Sequence, residues 1–239
     1  NEFSDLMRNN KIDCGLATDG DADRIGLYND KGEFIDSHHI ILLLIHYLVK
    51  YKNYSGKVVT AFSCSVKVQK ICEYYDLPHE TVKIGFKHIA GKMISDNVLL
   101  GGEESGGIAT TGHIPERDGI WMGLILFEFM AKSGKSVDQL INEVYEIVGP
   151  FAFDRNDLHI NNQQKNEIIK KCESGSFQNF GKYNVIRTEN LDGFKFFFDA
   201  DSWLMIRPSG TEPVLRIYAE SRNTSEVKAI LDACKLSIL

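Results

Sequence analysis

The stretch Thr18-Asp19-Gly20-Asp21-Ala22-Asp23-Arg24 places three carboxylates at alternate positions, directly after the apolar run Cys14-Gly15-Leu16-Ala17. In extended backbone, alternate side chains share a side, so Asp19, Asp21 and Asp23 would point the same way. Carboxylates held together repel strongly unless a cation sits among them. An all-oxygen donor set suits Mg2+ or Ca2+ rather than zinc. A calcium loop of the EF-hand kind ends in a Glu about twelve residues from its start. No Glu lies near Asp30, and Glu33 is out of register. Mg2+, with a phosphate completing its shell, is therefore the better match. A solvated acidic turn is the plain alternative; three acids together with Gly20 and Arg24 favour the metal.

Two further loops carry chemistry. Gly101-Gly102-Glu103-Glu104-Ser105-Gly106-Gly107 joins two acceptors to a hydroxyl that both donates and accepts, a set suited to sugar hydroxyls. Its glycines would let backbone approach a ligand closely. Alone, this is equally a common surface turn. Arg207-Pro208-Ser209-Gly210-Thr211-Glu212-Pro213-Val214-Leu215-Arg216 offers a planar guanidinium fork, two hydroxyls and a glycine that frees backbone N–H groups as an anion nest. Pro208 and Pro213 stiffen it. The alternative is a rigid turn whose arginines pair with acids. Lys87 lies on a glycine-containing turn, and His113, Arg117 and Asp118 follow the second loop closely. His38 and His39 precede an apolar helix and read as cap or interface histidines.

These loops need elements to hold them. Residues 12–17 read as a short strand, and 26–34 as a hairpin turning at Asp30-Lys31-Gly32. Helices are expected over 38–51, 65–75, 88–95, 118–133 and 136–147, alternating with strands at 57–62, 81–86 and 98 onward. That alternation predicts an α/β domain, a mixed sheet with flanking helices. The character changes at Gly149-Pro150. Beyond it, a helix near 162–172, adjacent strands LDGFKFFF and SWLMIRP, the strand LRIYAES and a helix over 224–238 predict a smaller α+β domain, an antiparallel sheet with helices.

Composition excludes several classes. The 239 residues carry a net charge of −6 and are 43% hydrophobic, which is globular and a poor match to nucleic acid. The longest apolar run, 40–49, is too short to cross a bilayer and reads as a buried helix. Five cysteines at 14, 64, 72, 172 and 234 show no zinc spacing and read as reduced thiols of a cytoplasmic protein. The chain opens at Asn1 in what reads as the end of a helix, so a fragment or processed product is expected.

Asp-Gly-Asp-Ala-Asp-Arg, Gly-Glu-Glu-Ser-Gly-Gly and Arg-Pro-Ser-Gly-Thr-Glu-Pro, in that order, resemble the α-D-phosphohexomutases, the phosphoglucomutases and phosphomannomutases. The resemblance covers essentially the whole chain and implies the end of a second domain over 1–36, a third over 37–150 and a fourth over 151–239. It implies Mg2+ on Asp19, Asp21 and Asp23, with Arg24 placing the reactive phosphate. It implies sugar contacts from Glu103 and Ser105, and a grip on the non-reacting phosphate by Arg207, Ser209, Gly210, Thr211 and Arg216. Lys87, His113 and Arg117 would be further ligand contacts. Arg117 stands where some members carry a lysine proposed for proton transfer, and an arginine stays protonated. The partners would be glucose 1-phosphate, glucose 6-phosphate, mannose phosphates and glucose 1,6-bisphosphate, interconverted through a phosphoserine. Glu104 in the sugar loop leans toward glucose; phosphoglucosamine mutases typically carry a glutamine in this loop.

One departure is sharp. The family's Thr-x-Ser-His-Asn-Pro phosphoserine loop does not occur; the nearest string, Asp36-Ser37-His38-His39, lacks Asn-Pro. The chain is accordingly expected to be inactive alone. A standalone, non-catalytic sugar-phosphate binding module is the competing reading. A phosphatase of the haloacid type also clusters aspartates, but has no use for the third loop.

Overall fold

The computed structural model describes residues 2–209 and 213–239. They form two compact units, Asn1–Gly149 and Pro150–Leu239. In the first, α1 (Glu2–Asn10) leads into a three-stranded antiparallel sheet of β1 (Cys14–Thr18), β2 (Ile25–Asn29) and β3 (Phe34–Ile35). Then come α2 (Ser37–Lys50), β4 (Lys57–Ala61), α3 (Lys67–Tyr74), β5 (His79–Val82), α4 (Phe86–Ser95), β6 (Val98–Gly102), β7 (Ile108–Thr110), α5 (Gly119–Ser133) and α6 (Val137–Val148).

The second sheet runs in the order β5-β4-β6-β7, with β4 parallel to β5 and β6, and β7 antiparallel to β6. It is mixed, with helices on both faces. Val59, Val82, Val98 and Ala109 meet Phe86 and Ile89 of α4 in one core cluster. On the other face, a Cβ at Gly102 would meet Ile41 of α2 at 2.8 Å, so a larger residue would push that helix away. The apolar run 40–49 is almost entirely buried in α2, as expected of an internal helix. Asp36 caps this helix by accepting from the His39 N–H. No helix among the described residues is long and apolar enough to cross a membrane.

The expected strand over 81–86 is displaced. The strand is His79–Val82, and Phe86 already starts α4. Gly85 between them has φ +122, a turn conformation that breaks the ladder.

In the second unit, β8 (Ala152–His159), α7 (Asn162–Glu173), β9 (Asn179–Phe180), β10 (Tyr183–Asn184), β11 (Arg187–Glu189), β12 (Phe194–Phe197), β13 (Trp203–Pro208), β14 (Val214–Ser221) and α8 (Thr224–Ile238) follow. The antiparallel sheet has the order β11-β12-β13-β14-β8. Alternation sorts its faces. Leu204, Ile206, Leu215 and Ile217 join Ile168, Val227 and Ile230 from α7 and α8 in the core. Met205, Arg207, Arg216 and Tyr218 therefore take the opposite face. The five cysteines are free.

Candidate functional site

β1 and β2 are joined by the acidic loop itself, the last ladder pair being Thr18 with Ile25. The loop is not extended. Ala22 adopts φ +58 and its N–H donates to the Asp19 carbonyl at 3.2 Å. A turn, rather than simple alternation, gathers the acids. One oxygen from each of Asp19, Asp21 and Asp23 lies within 4.8 Å of the others.

Each side of this cluster is braced by an arginine. Arg24 donates to Asp19 from its side chain at 2.5 Å and from its backbone at 3.2 Å. Desolvation acts to raise the Asp19 pKa, but these hydrogen bonds and the Arg24 charge win and hold it below the usual carboxylate range. Arg117 reaches Asp23 at 2.7 Å. Asp23 is nevertheless pushed up, first by desolvation and then by Asp21 and Asp19, against the pull of both arginines. Its Oδ1 is buried with no hydrogen-bond partner among the described residues, the Arg24 Nε standing off at 3.5 Å. An orphaned carboxylate oxygen inside a triad of acids fits a hard divalent cation.

The second loop abuts the first. The Ile25 N–H donates to the Gly106 carbonyl at 3.1 Å, and Arg24 forms a β-bridge with Gly107. The Gly119 N–H, at the start of α5, donates to the Ala22 carbonyl at 2.9 Å. Gly106 has φ +95, and a Cβ there would stand 2.6 Å from the Ile25 carbonyl oxygen. The Arg117 stem lies on Gly107, where a Cβ would meet it at 2.4 Å. These two glycines thus serve the seam between the loops.

Glu103 is 5% exposed, and its Oε1 accepts from the Gly85 N–H at 2.8 Å. Burial, then the neighbouring Glu104 charge, raises its pKa against that hydrogen bond and the Arg117 charge. The Glu104 carboxylate turns to the Ser63 hydroxyl at 2.5 Å, and its carbonyl accepts from the Ser37 hydroxyl. Ser105 is exposed at the tip. Lys87, the second residue of α4, is exposed two positions from the Gly85 contact. Arg117 also stacks over Phe86 of the same turn at 5.5 Å. His113 bonds through Nε2 to Asp118 at 2.8 Å and stacks on Trp121 with centroids 4.7 Å apart. The Asp118 carboxyl is held low first by the Trp121 backbone N–H and further by the His113 bond. Asp19, Asp21, Asp23, Arg24, Glu103 and Arg117 are thus joined through one web of backbone and ion-pair contacts.

In the second unit, Arg207 and Arg216 are direct partners across β13 and β14. Like charges opposite one another repel. Arg207 is partly answered by Asp192 at 3.3 Å, whereas the Arg216 Nε is buried with no hydrogen-bond partner among the described residues. Ser209 is buried, its N–H bonded to the Val214 carbonyl at 2.9 Å and its own carbonyl to Lys165 at 3.1 Å. Gly210 and Thr211 lie outside the described residues. Lys165, in the first turn of α7, was not singled out from the sequence, because only the fold brings it to Ser209.

Residues 36–148 match the model of phosphoglucomutase/phosphomannomutase α/β/α domain III, and residues 166–236 match that family's C-terminal domain. The chain belongs to the phosphoglucomutase/phosphomannomutase family. A phosphoglucomutase/phosphomannomutase of Thermococcus kodakarensis is 28% identical over 96% of this chain and 48% of its own length. A probable phosphoglucosamine mutase of Pyrococcus furiosus is 29% identical over 96% and 48%. The chain thus spans about half the length of the curated relatives it matches. A putative phosphomannomutase from Thermus thermophilus superposes with a TM-score of 0.83 at 27% identity, over 98% of this chain and 48% of that one.

Proposed function

We propose that this chain supplies the metal, sugar and phosphate loops of a mutase that moves a phosphoryl group between the 1- and 6-positions of a hexose. The observation that carries the reading is the first unit's joined pair of loops: a triad of acids with an orphaned Asp23 oxygen, fastened by backbone bonds to a Glu-Glu-Ser loop. Asp19, Asp21 and Asp23 would hold Mg2+, which supplies charge neutralisation beside a phosphoryl group in transfer. Arg24, on the same loop, would steer the reactive phosphate. Arg207, Ser209, Gly210, Thr211 and Arg216 would hold the phosphate that does not react, and Lys87, Ser105 and His113 would contact the substrate. For the buried arginine Nε, a phosphate is a natural partner.

Two sequence expectations are adjusted. Glu103 is tied to Gly85 and nearly buried, so its contribution to the sugar runs through its remaining oxygen. Arg117 braces Asp23, which supports a role in holding the metal loop more than in moving a proton. Glucose remains the favoured hexose; the likeness to phosphoglucosamine mutases widens the candidates to amino sugars. No Ser-His-Asn-Pro string occurs in the 239 residues, so the chain alone is expected to bind hexose phosphates without interconverting them. The test is calorimetry with glucose 1-phosphate and Mg2+. Arg207→Ala should weaken binding by roughly tenfold or more, the scale of one charge-assisted contact. Unchanged binding would remove the third loop from the reading.

A further inference from the structure

The Glu-Glu-Ser loop contains two adjacent acids, and the fold gives them separate anchors. Glu103 is turned to the Gly85 backbone. Glu104 is turned to the segment after β4, where Ser63 is 0% exposed and donates its hydroxyl to Glu104 Oε2 at 2.5 Å. The Glu104 backbone is held as well, since its carbonyl accepts from the hydroxyl of Ser37 at the first position of α2. Ser37 is 6% exposed. On its far side the loop is sewn to the acidic hairpin through Gly106 and Gly107. Ser105 is the residue between these fastenings, and it alone among residues 103–107 is exposed.

We infer that Glu104 is a positioning residue: it latches the sugar loop to Ser63 and Ser37, and so fixes where Ser105 meets the hexose, without touching the sugar itself. This rests on the reading of the loop as hexose-binding. The physical reason is that the Ser63 hydroxyl is out of solvent, so a carboxylate that satisfies it is committed to the protein. A hydroxyl donating to a carboxylate is among the stronger hydrogen bonds. Leaving Ser63 without its acceptor would strand a buried polar group. The identity of residue 104 then influences the choice of hexose indirectly, through the placement of its neighbours. Ser63, forty-one positions away in the chain, becomes part of the same device.

The experiment uses the 239-residue chain with E104A, E104Q, S63A and the E104A/S63A pair. Two readouts are taken: deuterium uptake of the peptide spanning 98–108 without ligand, and calorimetric affinity for glucose 1-phosphate with Mg2+. E104A and S63A should each speed exchange in the loop and weaken binding by roughly tenfold. The double variant should be no worse than E104A, because one bond is removed only once. E104Q, whose amide can still pair with Ser63, should recover most of both losses. Loop exchange unchanged in E104A and S63A would overturn the latch. So would binding lost equally in E104A and E104Q but intact in S63A, since the carboxylate would then be meeting the sugar. If the parent chain binds no hexose phosphate at all, the proposed function fails, while the exchange arm still decides whether Glu104 holds the loop.

Discussion

Asp19 and Glu103 sit in loops that share a hydrogen-bonded seam, yet their carboxyls are shifted in opposite directions. Asp19 is held below the usual range by Arg24, and Glu103 is pushed above it by burial. The acidic hairpin keeps its three carboxylates grouped and answers them with arginines at the rim. The Glu-Glu-Ser loop scatters its two, each to a partner within the α/β layer. Crowded acids with exposed faces suit a cation that arrives; separated acids with dry partners suit a loop that must hold its shape.

The comparison breaks most readily at the metal. Asp21→Asn should weaken Mg2+ binding on the order of a hundredfold, the upper end of what even a supporting partner costs, whereas Glu103→Gln should change it little. Electron paramagnetic resonance with Mn2+ as the probe measures both. Equal losses would mean that the two loops form one ligand set. The next effect is on stability. Gly106→Ala forces a Cβ toward the Ile25 carbonyl at a positive φ and should cost about 1–3 kcal/mol, read from urea unfolding of the chain. A neutral result would show that the seam is loose.

The elements were more legible in the sequence than the contacts. Alternating strands and helices identified the α/β layer, and three short motifs located the loops. The grouping of Asp19, Asp21 and Asp23 was legible, but for an incomplete reason: a turn at Ala22 gathers them, and single residues rarely announce a left-handed φ. Glu103 and Glu104 looked alike as acceptors. Only the tertiary positions of Gly85 and Ser63 separate them, and pairs 18 and 41 residues apart leave no local trace. The pairing of β8 with β14, which closes the second unit's sheet, joins its first strand to its last and was equally hidden. The strand misplaced over 81–86 has the same origin, since the Gly85 turn answers to Glu103.

A subtler contrast lies in pH. The raised folded-state pKa of Glu103 means that ionisation opposes folding: its favourable contribution is present below the unfolded carboxyl value of about 4.3 and is lost as pH rises through the folded value. Glu103→Gln keeps an acceptor for Gly85 without the charge. It should therefore raise the melting temperature at pH 7 and lose that advantage near pH 4. Asp19 has the opposite sign. Its contribution is present above about 3.9 and is lost as pH falls further, so Asp19→Asn should bring no gain at pH 7. A Glu103→Gln protein that melts earlier than the parent at pH 7 would show that the charge is needed where it is buried, and the contrast between the loops would fail.

The smallest effect concerns Arg24. Its side chain is half exposed, so the pair with Asp19 is screened and Arg24→Ala should move stability by less than about 0.5 kcal/mol. The backbone N–H from residue 24 to Asp19 survives the substitution, so the turn should keep its shape. The guanidinium that competes with a cation for Asp19 is gone, however. Mg2+ alone should then bind at least as tightly as to the parent chain, while binding of a phosphate together with Mg2+ should weaken. If Mg2+ alone binds more weakly, Arg24 shapes the acidic hairpin rather than balancing its charge, and the two loops would be alike after all in using side chains to hold their form.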